Sequence, residues 1–297
     1  WRKPLREALD ILRDGLSGLY EERGRELLPD PGGTRNRYIR VLVNRNPEKT
    51  RIFLKDEAGR SLTEDEVARG ASLLEMEKNL MYMYTSCGWF FDEISGIETL
   101  QIMAYAARAM ELGEELFPGV SLRGPFLTSL ARARSNIPEF RDGRRIFEIF
   151  IEPLRSNLLR AGAHFAVSCL FSRGKENGCS PERCAFSSYR VTGCSLELKE
   201  TGNERYVLGN LTIMSEVTLQ RMELFAAALY RGGRDVLCGV SGRVPPERSR
   251  RLKDRIGSEL KSGDGQALVE FFGHNVYSLR HLFKDEQRKI LNLIISE

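Results

Sequence analysis

The residues best placed to do chemistry lie in one short stretch. Met83-Tyr84-Thr85-Ser86-Cys87-Gly88-Trp89-Phe90-Phe91-Asp92-Glu93-Ile94-Ser95-Gly96-Ile97-Glu98 sets an indole, two phenyl rings, a thiol and several carboxylates between two helical patterns. A connection alone would use polar turn residues here. Trp89 offers a flat apolar face and one donor at its edge. Asp92, Glu93 and Glu98 are carboxylates, two of which could serve as acid and base if the fold brings them near each other, although adjacent Asp92 and Glu93 usually point in different directions. Cys87 and His164 add a thiol and an imidazole, the elements of a nucleophile and its base if the fold brings them together.

Each of these residues also has a plainer reading. Trp89, Phe90 and Phe91 can all be core anchors, which is the expected role for Phe90 and Phe91, and Asp92 can cap a helix starting near Ser95 or Ile97. Glu93 and Glu98 can pair with an arginine such as Arg108. Cys87 beside Gly88 reads as a small buried apolar residue, and His164 as a hydrogen-bonded core histidine.

The elements that must position the stretch are helical. Leu5, Leu9, Leu12, Leu16 and Leu19 form an amphipathic stripe over Pro4 to Glu22, ending near Gly24. Leu28 to Gly33, rich in Pro and Gly, reads as a loop, and Tyr38 to Val43 as a helical turn or a short strand. Thr63 and Glu66 form a capping box opening a long helix through Leu73, Leu74, Leu80 and Met81. A helix from Ile97 to Leu112 follows the aromatic and acidic stretch, and a short one covers Pro125 to Arg134. Asp142 to Phe171 reads as one long helix, kinked or broken at Pro153.

After Gly174 the texture changes. Runs at Tyr189 to Val191, Ser195 to Leu198, Tyr206 to Met214, Arg221 to Tyr230 and Val236 to Val240 fit a four- or five-stranded antiparallel sheet. The Ala-rich Arg221 to Leu229 also fits a helical turn. From Pro246 two or three helices close the chain, through Leu260, Leu268 to Phe272 and Arg288 to Ile295. The fold class is therefore α+β, predominantly α. Residues 1–173 are expected to form a helical bundle carrying the aromatic and acidic motif, and residues 174–297 an antiparallel sheet with closing C-terminal helices, the sheet and its helices packed on the bundle as one unit.

Composition narrows the function. A chain of 297 residues, 41% hydrophobic and 29% charged, is globular rather than disordered. Its 45 basic and 41 acidic residues leave a net charge of +4, too small and too interspersed to indicate nucleic acid. The basic cluster Arg243, Arg248, Arg250, Arg251, Lys253 and Arg255 holds Glu247 and Asp254 and lacks interleaved aromatics, so it reads as a solvated helix face. No apolar run reaches the ~20 residues of a membrane span. The start at Trp1, inside a helical pattern, is expected to reflect a removed N-terminus. The six cysteines, Cys87, Cys169, Cys179, Cys184, Cys194 and Cys238, are expected to be reduced thiols of a cytoplasmic protein. Cys179, Cys184 and Cys194 lie close together, where a metal site or a disulfide can be imagined, but their spacing lacks a paired metal-ligand motif and the nearest His is His164, so neither a metal nor a cofactor is expected.

The stretch from Thr85 to Glu98 resembles the signature of a domain of unknown function that follows the catalytic barrel in glycoside hydrolase family 57-like proteins. The resemblance extends to Leu74-Glu75-Met76-Glu77, Tyr105-Ala106-Ala107-Arg108-Ala109, Ser135-Asn136-Ile137-Pro138-Glu139 and Ala163 to Phe171, and is looser in the sheet. It implies a larger polypeptide whose N-terminal β/α barrel cleaves or transfers α-linked sugars with a Glu nucleophile and an Asp acid/base, neither of which lies in this chain. The partners it implies are that barrel and an oligosaccharide, with no nucleic acid and no membrane. By analogy with relatives whose helical domain lends an aromatic residue to the groove, Trp89 is the residue expected to face sugar, with Asp92, Glu93 and Glu98 beside it and Cys87 and His164 as weaker candidates. The other readings are an independent catalytic module built on Cys87, His164 and a carboxylate, and a purely structural interaction domain.

Overall fold

The computed structural model describes residues 1–155, 157–171, 185–201, 204–259, 266–284, 287–288 and 290–292. It divides into two compact units, Trp1–Arg155 with Val217–Gln220, and Ser156–Glu216 with Arg221–Glu297. The 173/174 boundary expected from texture lies outside the described residues.

The first unit is helical. Helix α1 (Arg2–Arg23) buries Leu5, Leu9, Leu12 and Leu16, four of the five leucines of the stripe. The Pro- and Gly-rich segment expected to be a loop instead starts helix α2 (Pro31–Arg37). Asp30 accepts a hydrogen bond from the Gly33 amide at 3.0 Å, and Pro31 fills the first helical position, where its missing N–H costs nothing. Tyr38 to Val43 resolves as helical, with α3 over Ile39–Leu42. The same device opens α4 (Pro47–Ala58), an element the sequence reading did not place: Asn46 caps it, Pro47 follows, and Gly59 ends it at φ +65°.

Helix α5 (Glu64–Tyr82) starts on the expected capping box, with Thr63 Oγ1 and Glu66 Oε2 each taking the other residue's amide at 3.2 and 2.8 Å. It runs through the middle of the core and buries two carboxylates, Glu75 and Glu77. Neither lies buried without a partner. Glu75 accepts from Tyr38 Oη at 2.7 Å, Arg45 Nη2 at 2.5 Å and Lys78 Nζ; Glu77 accepts from Ser17 Oγ at 2.9 Å and Arg35 Nη1 at 3.1 Å. Helix α6 (Ile97–Leu116) runs beside α5, and α7 (Arg123–Leu130) packs on α1.

The long helix expected over Asp142 to Phe171 is several pieces. Helix α8 (Gly143–Ile146) passes into a π turn at Phe147–Ile151 and a 3₁₀ turn at Glu152–Leu154. Pro153 cannot donate to the helix, and Asn157 caps a new one, α9 (Leu158–Leu170), by accepting from the Arg160 amide at 2.8 Å. The apolar register that appeared continuous thus serves two cores.

Among the described residues of the second unit six antiparallel strands lie in chain order: β1 (Ala185–Phe186), β2 (Tyr189–Thr201), β3 (Glu204–Ser215), β4 (Arg221–Tyr230), β5 (Val236–Gly242) and β6 (Val276–Ser278). The two runs expected around Gly193 are one strand, β2, with a register shift between Val191 and Gly193. Arg221 to Leu229 is strand. Leu211, Ile213, Leu224, Ala226 and Val240 share a core with Ala161, Phe165 and other residues of α9. Tyr206, Leu208, Phe225, Ala227 and Leu229 turn to the other face, against α10 (Pro246–Glu259) and α11 (Gln266–Phe272). Gly239 makes that approach close: a Cβ there would meet Phe272 at 2.0 Å. The expected closing helix at Arg288 to Ile295 lies partly outside the described residues. Members of the basic cluster have specific contacts: Arg243 lies 3.9 Å from Glu223, Arg248 lies over Phe271 at 4.6 Å, Lys253 pairs with Glu197 at 2.5 Å and Arg255 with Glu270 at 2.8 Å.

Candidate functional site

The aromatic and acidic stretch connects α5 to α6 as a 3₁₀ turn at Ser86–Trp89 followed by an irregular segment to Gly96. Gly88 is needed for a close approach: a Cβ there would lie 2.6 Å from Ile102. Its carbonyl accepts from Thr99 Oγ1 at 2.9 Å, and Ile94 plugs fully into the core. One end of the segment is thereby fastened to α6 and the other is anchored in the core, beside Gly143.

The middle is held by side chains from elsewhere in the first unit. Arg2 Nε donates to the Trp89 carbonyl at 2.8 Å, and Arg2 Nη2 to those of Phe90 and Phe91 at 3.2 and 2.6 Å. The Asp92 carbonyl accepts from Trp1 Nε1 at 2.8 Å and Asn136 Nδ2 at 3.0 Å. The four successive carbonyls from Trp89 to Asp92 are all engaged by side-chain donors. The turn is fixed in shape although no regular ladder runs through it.

Glu93 completes the clamp. Its Oε1 accepts from the Ser95 amide at 3.0 Å and Ser135 Oγ at 2.7 Å, and its Oε2 from the Asn136 amide at 2.7 Å. Partial burial alone would raise its pKa, but these donors outweigh it and hold the carboxyl below the usual carboxylate range. With both oxygens engaged, Glu93 fastens the turn to the 135–136 loop.

The rings are arranged differently from the core-anchor expectation for Phe90 and Phe91. Phe90 is 77% exposed and Phe91 49%, packed edge to face at 5.1 Å. Trp89 is half-buried and stacked on Trp1, centroids 6.4 Å apart and planes 12° apart, with the Arg2 guanidinium 4.6 Å over Trp1. Trp89 also forms one wall of an open concavity of about 480 Å³ with Arg2, Lys3, Arg6 and Glu7.

The remaining candidates are dispersed. Asp92 is exposed and does not cap α6, whose N-cap is Gly96. Glu98 lies half-buried in the first turn of α6, where a negative charge is favoured, and Arg108 pairs with Glu111 at 3.0 Å. Cys87 is exposed rather than buried, its Sγ 3.8 Å from Thr85 Oγ1. His164 belongs to the second unit, on α9, 1% exposed, with the rings of Phe186 and Phe283 at 5.0 and 5.1 Å. The clamp residues Trp1, Arg2, Ser135 and Asn136 were not among the sequence candidates. Only the Ser135-Asn136 motif carried a signal.

The cysteines depart from the expectation that all are reduced: Cys87, Cys169 and Cys238 are thiols, but Cys194 is disulfide-bonded. Cys179 and Cys184 lie outside the described residues. Burial pushes the Cys238 thiol up, keeping it protonated. Among the described residues no group of three or more His, Cys, Asp or Glu side chains could hold a metal ion, and no helix is long and apolar enough to cross a membrane.

No curated protein and no solved structure matches the chain. A family model does, over residues 1–283, and with it the clamped turn and the sheet fall within a single described family. The chain belongs to DUF3536, a family defined as a domain of unknown function.

Proposed function

We propose that this chain is an accessory domain of a glycoside hydrolase family 57-like protein, seated against its catalytic barrel and lining the α-glucan groove with the turn from Thr85 to Glu98. The observation that carries this reading is a turn fixed by side-chain donors on four successive carbonyls while it holds Phe90 and Phe91 out in solvent. A turn needed only to connect two helices has no use for both features. Burying a phenylalanine side chain is worth roughly 1.5–3 kcal/mol, so two pre-positioned rings supply a strong contact at little ordering cost. In this reading Phe90 and Phe91 meet the barrel. Trp89, with its concavity beside Arg2 and Lys3, faces the sugar, and Asp92 and Glu98 lie near enough in sequence to reach its hydroxyls. No residue of this chain is assigned a catalytic role, and the location is that of the parent protein, taken as cytoplasmic.

The test is hydrolysis and transfer on a panel of α-glucans by the polypeptide that carries both barrel and this chain, compared with its Phe90→Ser, Phe91→Ser double variant and with Trp89→Ala. Loss of turnover in all three positions is expected, the Trp89 variant acting mainly through KM. Unchanged kinetics, or a parent polypeptide without a barrel, would refute the proposal.

A further inference from the structure

The sheet of the second unit has a polar groove that the proposed function does not use. The face covered by α10 and α11 changes character along its strands. Register pairs Tyr206 with Leu229 and Leu208 with Ala227, and directly opposed residues share a face. These apolar rows lie under Leu252, Leu268 and Phe272. One step on, the row is Ser195, Asn210, Phe225 and Ser241, and the next pairs Thr212 with Glu223. Beyond the helices' cover the face is therefore polar. Asn210, Thr212, Glu223, Arg243, Pro246 and Ser249 bound an open concavity there of about 380 Å³, within the roughly 300–1,000 Å³ of small-molecule sites.

We infer that this groove binds a neutral carbohydrate of one or a few sugar residues. Glu223 Oε2 lies 3.9 Å from Arg243 Nη1, so the two charges within the groove offset each other and this pair does not itself select a charged ligand. Around them are a carboxylate that only accepts, a guanidinium that only donates, and an amide and hydroxyls that do both. Vicinal sugar hydroxyls, each a donor and an acceptor, are the complement of that set. Among the described residues the Asn210 amide and the Thr212 hydroxyl have no side-chain hydrogen bond of their own, and a ligand would not have to displace one. Val244 and Pro246 add an apolar wall for the C–H face of a ring.

The test is calorimetric titration of the chain with maltotriose, cellotriose, chitotriose and inorganic phosphate, repeated on Glu223→Gln and Arg243→Gln. Both side chains are mostly exposed, so these variants keep the fold, and unchanged unfolding temperatures verify that. Saturable binding of at least one trisaccharide is expected, weakened about tenfold or more by either substitution, as loss of one charge-assisted hydrogen bond implies. Binding that survives in Trp89→Ala separates this groove from the turn of the first unit. The inference is overturned if no trisaccharide binds, if phosphate binds and competes, or if both variants bind like the parent. Binding lost in Trp89→Ala but kept in Glu223→Gln would place the sugar at the turn, overturning the groove while supporting the turn's proposed role.

Discussion

Replacing Glu93 by Gln tests whether the turn is held by its clamp. The carboxylate accepts three hydrogen bonds, from the Ser95 amide, Ser135 Oγ and the Asn136 amide. Gln is nearly isosteric, but it turns one acceptor oxygen into an NH₂ that faces a donor, and it removes the charge from the other contacts. A hydrogen bond to a charged group is worth about 1.5–3 kcal/mol and one between neutral groups about 0.5–1.5 kcal/mol. Partial solvation refunds some of the difference, leaving a loss of about 2 kcal/mol. For a unit of this size that lowers Tm by roughly 4–8 °C. The chain's two tryptophans, Trp1 and Trp89, both sit at this turn, so their emission reports on it alone while far-UV circular dichroism reports on the helices. The emission maximum is expected to move with little change in helix content. The sign with pH follows from the lowered carboxyl: its stabilisation is full above the ordinary carboxylate pKa of about 4.3 and is lost as pH falls through the lower folded value. Glu93→Gln should therefore lose less stability than the parent between neutral and acid pH. A variant with unchanged Tm, emission and acid sensitivity would refute the clamp.

Three further substitutions probe the same site. Arg2→Lys should shift tryptophan emission much as Arg2→Ala does, because one ammonium cannot reproduce a planar fork reaching three carbonyls; full recovery by Lys would show that charge alone suffices. Phe90→Ser should change stability by no more than about 0.5 kcal/mol, since the ring is already in solvent, and a large drop in Tm would return Phe90 to the core. Gly88→Ala should cost about 1–3 kcal/mol, as the new methyl would overlap Ile102, and an unchanged denaturation midpoint would show that α6 yields there.

How much of this was legible follows from where each signal lies. The stripe of α1 and the capping box of α5 are local, and both appear where the sequence puts them. Helices α2 and α4 were hidden by an ambiguity in proline. Asp30-Pro31 reads as part of a loop and Asn46-Pro47 carries no assignment, yet a capping side chain followed by Pro is also how a helix begins. The break at Pro153 is where the sequence puts it, but the in-phase stripe across it suggests one core, since such a stripe records local amphipathicity and not which core receives it. Arg221 to Tyr230 is the strand expected from the sequence, and its Ala-rich part also fits a helical turn because Leu224 to Leu229 is covered on both faces and so lacks alternation.

At the site itself, composition located the turn but could not say how it is built. Arg2 lies 87 residues from the Trp89 carbonyl it holds, and nothing local records a contact made through the fold. The expectation that Phe90 and Phe91 would be core followed the rule that apolar residues go inside, which constrains the interior more than the surface. Here the polar groups do the interior work: Glu93, the Arg2 guanidinium and the backbone carbonyls are consumed in fixing the turn, while the rings are left outside. That inversion separates the turn from a mere connection. A connection gains nothing from holding phenyl rings in water, whereas a surface that meets a partner gains their burial when the two join, with the shape already set.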